Sequence, residues 1–149
     1  MADLIRNKKA TFNFEILETF EAGLELLGYE VKSLRKKRGS LEGSHVVVRG
    51  SEVFLVGATI PPYQPINTPK DYDTERTRKL LLNKKEINKL GGAESQRGLT
   101  IVPISVYNKG RNLKLKIAIA RGKKKSDKRQ VIKDRDSKKD IERQMKQDR

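Results

Sequence analysis

Residues 98–120, "GLTIVPISVYNKGRNLKLKIAIA", decide the fold. Two runs rich in β-branched and aliphatic residues flank "NKG", the pattern of a β-hairpin. In the second run Leu113, Leu115, Ile117 and Ile119 alternate with Lys114 and Lys116. A period of two places the aliphatics on an inner face and the two lysines in water. Upstream, "SHVVVRGSEVFLVGATI" (44–60) reads as a second hairpin around Gly50-Ser51, a two-residue turn in which glycine supplies the positive φ. "PPYQPINTP" (61–69) is a loop, because its prolines forbid regular structure.

The segments around these hairpins read as helix and strand in turn. In 14–28, Ile16, Leu17, Phe20, Leu24 and Leu27 recur at helical spacing, with Gly28 as the stop. "YEVKSL" (29–34) follows as a short strand whose faces are left open by Val31 and Leu34. Residues 73–92 read as a helix capped by Asp73 or Thr74 and ended by Gly91-Gly92. Asn83 and Glu86 form a second capping box that would break it in the middle. Five or six short strands with helices at the start and in the middle predict a mainly β chain, a small closed barrel with short flanking helices.

Charge points to the partner. The chain has 149 residues, enough for one domain, and carries 34 Lys and Arg against 19 Asp and Glu, a net +15. That excess suits a polyanion, either nucleic acid or an acidic membrane surface. No apolar run approaches the ~18 residues of a bilayer span, and the N-terminus lacks the apolar core of a secretory signal. With no cysteine and the single His45, a disulfide framework and a Cys/His zinc site are both excluded. His45 reads as an ordinary strand-end residue. Catalysis lacks its parts: there is no partnered His, no glycine-rich phosphate loop and no paired-acid motif. The expectation is a cytoplasmic protein that is not an enzyme, with no cofactor and no metal.

The charge is uneven. Residues 121–149 hold 13 Lys and Arg against 6 Asp and Glu, about half of the excess, with only Val131, Ile132, Ile141 and Met145 clearly apolar. Such a segment cannot bury enough surface to offset its ordering entropy. The division is therefore a folded body, 1–120, and a basic C-terminal tail, 121–149.

Several motifs carry a resemblance. "FEAG", "EVKSLR", "EVFLVGATIPPY", "ERTRKLLL", "GLTIVPISVY" and "KIAIARGKKKSDKR", in this order, are similar to the small protein B family, the SsrA-binding proteins of bacteria. The resemblance covers nearly the whole chain. It implies an OB-fold-like closed barrel that binds the tRNA-like domain of transfer-messenger RNA and accompanies it to stalled ribosomes for trans-translation. It implies a tail that is disordered alone and helical in the empty mRNA channel near the decoding centre, against small-subunit RNA. One copy per RNA is expected. A helix over 130–145 would be roughly 24 Å long, and mRNA already in the channel would exclude it by volume and by charge.

The resemblance also marks residues. Glu21, Leu81 and Asn83 match family positions that contact the tRNA-like RNA. Glu21 repels phosphate but can accept from ribose or base donors. Leu81 has a competing role in the core, and Asn83 has one as a helix cap. Arg76, Arg78, Lys79, Lys84 and Lys85 would contact phosphates, which give affinity without sequence information. In the tail, Lys123, Lys124, Asp127, Lys128 and Arg129 match the family's ribosome-binding motif, and Met145 lies on the helical segment. Ser126 departs from the family, where an aromatic ring usually stands and can stack. The competing class is a general OB-fold RNA-binding translation factor of the small subunit. Such proteins stack bases on exposed aromatics; a chain with 5% aromatic residues and no Trp fits that poorly.

Overall fold

The computed structural model describes residues 3–123, and the long hairpin forms part of its single seven-stranded sheet. Strands β6 (Leu99–Lys109) and β7 (Asn112–Gly122) pair antiparallel over their whole length. Around them run β1 (Asp3–Arg6), β2 (Phe14–Leu24), β3 (His45–Arg49), β4 (Glu52–Val56) and β5 (Arg78–Leu81), in the order β1-β6-β7-β2-β5-β4-β3. The expected inner face is present: Leu113, Leu115, Ile117 and Ile119 are all buried. Lys116 is exposed and Lys114 half-buried. Pro103, which cannot donate to a ladder, sits where the β6–β7 register shifts between Pro103 and Ser105. The β3–β4 hairpin also forms as its sequence predicts, with Gly50 at φ 63° in the turn.

The expectations on either side of Gly28 are reversed. Residues 14–24 are strand β2, not helix, and 28–35 are helix α2 (Gly28–Arg35), not strand. Ile16, Phe20 and Leu24 keep a helical spacing of four, but in the strand Ile16 packs with Ala10 and Ala120 on the face opposite Phe20 and Leu24. The deciding residues are the others: Leu17 and Leu27, which a helix would bury, are 43% and 41% exposed, while Ala22 is buried. A bulge between Ile16 and Glu18 lets the chain stay in register with β7. In α2, Glu30, Ser33 and Leu34 fall on one buried face at i, i+3 and i+4. Val31 and Leu34, three apart, share a helix face and oppose one another only in a strand.

The expected helix over 73–92 splits. Residues 78–81 form β5, held between β2 and β4, with Arg78 and Leu80 inward and Lys79 and Leu81 outward. Helix α3 (Lys84–Glu94) starts at the Asn83 capping box and runs through Gly91-Gly92 instead of ending there. The first element, β1, and helix α1 (Lys8–Asn13) have no counterpart in the sequence reading. Helix α1 buries Ala10 against Val102, Ala118 and Ala120, the small residues on the outer side of the hairpin.

The barrel is not closed. The open order leaves β1 and β3 as sheet edges. Over Ser105–Tyr107 the outer edge of β6 is occupied by β1, and the Asn7 N–H donates to Ile104 O at 2.7 Å. That edge is therefore not free for β3. Helix α3 packs against both β3 and β6, with Leu90 and Ala93 buried. The gap is filled by side chains, and Glu94 Oε2 accepts from the Val48 N–H at the β3 edge.

Candidate nucleic-acid interface

Residues paired across an antiparallel ladder share a face. Gly23 of β2 pairs with Leu81 of β5 and with Lys114 of β7, and Glu21 pairs with Lys116. The ladder thus assembles Glu21, Leu81, Lys114 and Lys116 on one outer face from strands far apart in sequence. Leu81 is 54% exposed, whereas Leu80 beside it is 2% exposed. One of the three consecutive leucines does face outward, though from a strand and not from a helix. A Cβ on Gly23 would stand 3.1 Å from Leu81 Cβ, so only glycine lets the leucine lie this close to β2.

Glu21 is held from β6. The Tyr107 hydroxyl donates to Oε2 at 2.6 Å and Lys109 Nζ donates to Oε1 at 2.8 Å. The Lys109 bond first, and the Tyr107 bond second, hold its carboxyl below the usual carboxylate range. Burial and the carboxylate raise the Tyr107 hydroxyl, which stays protonated. Glu21 is therefore an oriented, ionised acceptor, suited to a ribose hydroxyl or base N–H and unsuited to phosphate. Beside it lies an open cavity of about 420 Å³ lined by Arg6, Thr19, Tyr107 and Lys116. Beside Leu81 lies a cleft of about 320 Å³ lined by Gly23, Arg35, Arg111 and Lys114.

Asn83 caps α3 in both directions: its Oδ1 accepts from the Glu86 N–H at 2.9 Å, and Glu86 Oε1 accepts from the Asn83 N–H at 3.2 Å. The capping role is thus filled, while the residue remains exposed. Asn83→Ala is expected to cost about 1 kcal/mol, whereas Asn83→Ser should keep most of the cap. Thermal melts of the two variants read this directly. A Ser variant that melts as low as the Ala variant would mean that the amide, not the cap, matters to the fold.

The five basic residues separate. Lys84 and Lys85 are exposed on the first turn of α3, where the positive end of the helix disfavours cations. Lys79 is partly exposed and lies 3.8 Å from Glu52 Oε1. Arg78, expected to contact phosphate, is fully buried instead. Its five N–H donors go to Glu30, Tyr72 and the carbonyls of Ala58, Arg76 and Thr74, which leaves none for an RNA. Arg76 is mostly committed as well, forking onto Glu30 at 3.0 and 2.6 Å with its side chain 30% exposed.

Of the expected ribosome-binding tail residues, only Lys123 is among those described; Arg121 and Gly122, assigned to the tail, are the end of β7. The Lys123 N–H donates to Asn13 O at 2.9 Å and its Nζ to Thr11 O at 2.7 Å, tying it to the body. Lys124, Ser126, Asp127, Lys128, Arg129 and Met145 lie outside the described residues. His45 opens β3, as its sequence context predicts, and is exposed. Lys114 and Lys116 were legible as water-facing residues from "NLKLK" but not as members of a site. Arg35, Arg111, Tyr107 and Lys109 carried no sequence signal, because only the sheet brings them beside Glu21 and Leu81. Among the described residues no three His, Asp or Glu gather as a metal site, and no helix is long and apolar enough to cross a membrane.

Comparison with known proteins covers almost the entire chain. The family model described as "SmpB protein" matches residues 4–147. An SsrA-binding protein from Psychrobacter sp. is 51% identical over 141 residues, 95% of this chain and 89% of that relative. One from Gloeothece citriformis is 46% identical over 140 residues, 94% of this chain and 90% of that relative. A solved chain described as "tmRNA-SmpB: a journey to the center of the bacterial ribosome" matches with a TM-score of 0.68 and 41% identity. It covers 81% of this chain and 85% of its own.

Proposed function

The chain belongs to the SmpB family of SsrA-binding proteins, and from that premise we propose that it is an RNA-binding adaptor of trans-translation, gripping transfer-messenger RNA with the outer face of β7, β2 and β5. The observation that carries the reading is the likeness, over 81% of this chain, to a solved chain described as tmRNA-SmpB in the bacterial ribosome. The geometry supports the choice of face. Glu21 supplies an oriented acceptor, Leu81 an exposed apolar surface for a base or ribose, and Lys114 and Lys116 cations between them. Lys84 and Lys85 add charge at the amino end of α3, where free backbone amides also attract anions. Arg78 is left out of the contact set, and Arg76 serves mainly to hold Glu30.

The protein does no chemistry in this role. It acts in the cytoplasm, one copy per RNA, and its basic segment 124–149 orders in the vacant mRNA path against small-subunit RNA. A segment of that composition folds when a polyanion offsets its ordering cost. An OB-like body remains part of the proposal.

Leu81→Ala tests the face. The side chain is more than half exposed, so the melting temperature should hold, while affinity for the tRNA-like domain falls about tenfold if a base or ribose buries the leucine there. Binding isotherms against that RNA and against an ordinary tRNA decide it. Unchanged affinity in a folded variant would remove this face from the interface.

A further inference from the structure

Helix α2 ends in a turn that only glycine adopts easily, and the chain places a lysine there. The Arg38 N–H donates to Ser33 O at 3.1 Å and the Lys37 N–H to Leu34 O at 2.8 Å. These are the two bonds of a Schellman cap, in which Lys37 holds the left-handed position. Its φ is 61°, and among the described residues it is the one non-glycine with positive φ. A side chain there is strained, and glycine would relieve the strain.

Helix-end electrostatics does not account for the choice. Lys32 and Arg35 already put cations on the last turn of α2. Lys36, Lys37 and Arg38 are all exposed, and none has an ion-pair partner among the described residues. Their position is informative. Arg35 lines the cleft beside Leu81, and its Nη2 donates at 2.8 Å to the Arg111 carbonyl at the tip of the β6–β7 hairpin. The three cations of the turn follow Arg35 directly in the chain.

We infer that the turn Lys36-Lys37-Arg38 is a phosphate-backbone contact for the RNA bound on the outer face, with Lys37 kept for its charge at a position where glycine would fold better. The inference rests on the adaptor reading above. It extends the footprint of the transfer-messenger RNA from the sheet onto the end of α2.

Full-length Lys37→Gly is the test, because charge and conformation then act in opposite directions. The melting temperature should rise by about 1–4 °C. Affinity for the isolated tRNA-like domain should fall about two- to fivefold at 0.1 M salt, and the slope of log Kd against log salt should shrink by about 0.7–0.9. The pair Lys36→Gln with Arg38→Gln should remove roughly twice that slope. A lower melting temperature, or an unchanged slope in both variants, overturns the inference. So does a normal slope on the isolated RNA with a defect seen only on stalled ribosomes. If the wild-type chain shows no preference for this RNA over an ordinary tRNA, the adaptor reading falls and this inference falls with it.

Discussion

Glu30→Ala is expected to lower the melting temperature of the body by more than about 10 °C, the largest stability effect of any single substitution considered. Glu30 is fully buried and faces Arg78, which is also fully buried; the closest approach is 2.7 Å. Its carboxylate also accepts from Arg76, from the Tyr72 hydroxyl at 2.8 Å and from the Leu27 N–H at 2.8 Å. Removing it leaves the Arg78 charge in the core with no counterion. The cost of breaking a buried pair in this way is about 3–5 kcal/mol, a large part of the ~5–15 kcal/mol that holds a domain together. The node joins α2, the segment 72–78 and β5, so its loss loosens the strand that presents Leu81. Glu30→Gln, which keeps an acceptor and loses the charge, should fall between the two. A drop of less than about 3 °C for the alanine variant would show that water reaches Arg78.

The same node sets an acid limit. Burial alone would raise the Glu30 carboxyl, but hydrogen bonds from Arg76, Leu27, Tyr72 and Arg78 outweigh it and hold it at about 2. A carboxyl depressed below its unfolded value near 4.3 stabilises the fold above that pH. The contribution is lost as pH falls from there through about 2. Wild-type stability should therefore decline across this window, and the Glu30→Gln variant should decline less steeply. Parallel curves would place the acid sensitivity elsewhere.

Deleting residues 124–149 is expected to separate RNA binding from ribosome rescue. The cut leaves every described strand whole, since β7 ends at Gly122 and Lys123 stays bonded to Asn13 and Thr11. A cut at 121 would instead remove the pairs that Arg121 and Gly122 make with Glu15 and Phe14. The shortened protein should bind the tRNA-like domain within about threefold of the full chain at physiological salt, with a smaller salt slope. Peptide tagging on ribosomes stalled at the end of a truncated mRNA should fall to background. Loss of binding to every RNA alike would make the segment a nonspecific cationic arm. Full tagging without it would end its proposed role in the mRNA path.

The two hairpins, the Asn83 cap and the exposure of one leucine in "LLL" were legible in the sequence because each depends on neighbours a few residues apart. The alternation of Leu113 to Ile119 and the positive φ at Gly50 are local facts, and local facts survive folding. Residues 14–24 were misread because Ile16, Phe20 and Leu24 keep helical spacing, and only pairing with β7, with its bulge after Ile16, sets which face each takes. Arg78 was misread because "ERTRK" looks like any basic surface until Glu30, 48 positions away, is placed against it.

The two hairpins, the polyanionic partner and, through the ordered motifs, the family could all be read from the residues alone. Composition and short-range spacing suffice for these. Which arginine is buried, the unclosed barrel between β1 and α3, and the common face of Glu21, Leu81, Lys114 and Lys116 emerge only on folding. Those outcomes depend on which strands pair and in what register. A ladder between segments tens of residues apart leaves no periodic trace in either segment alone.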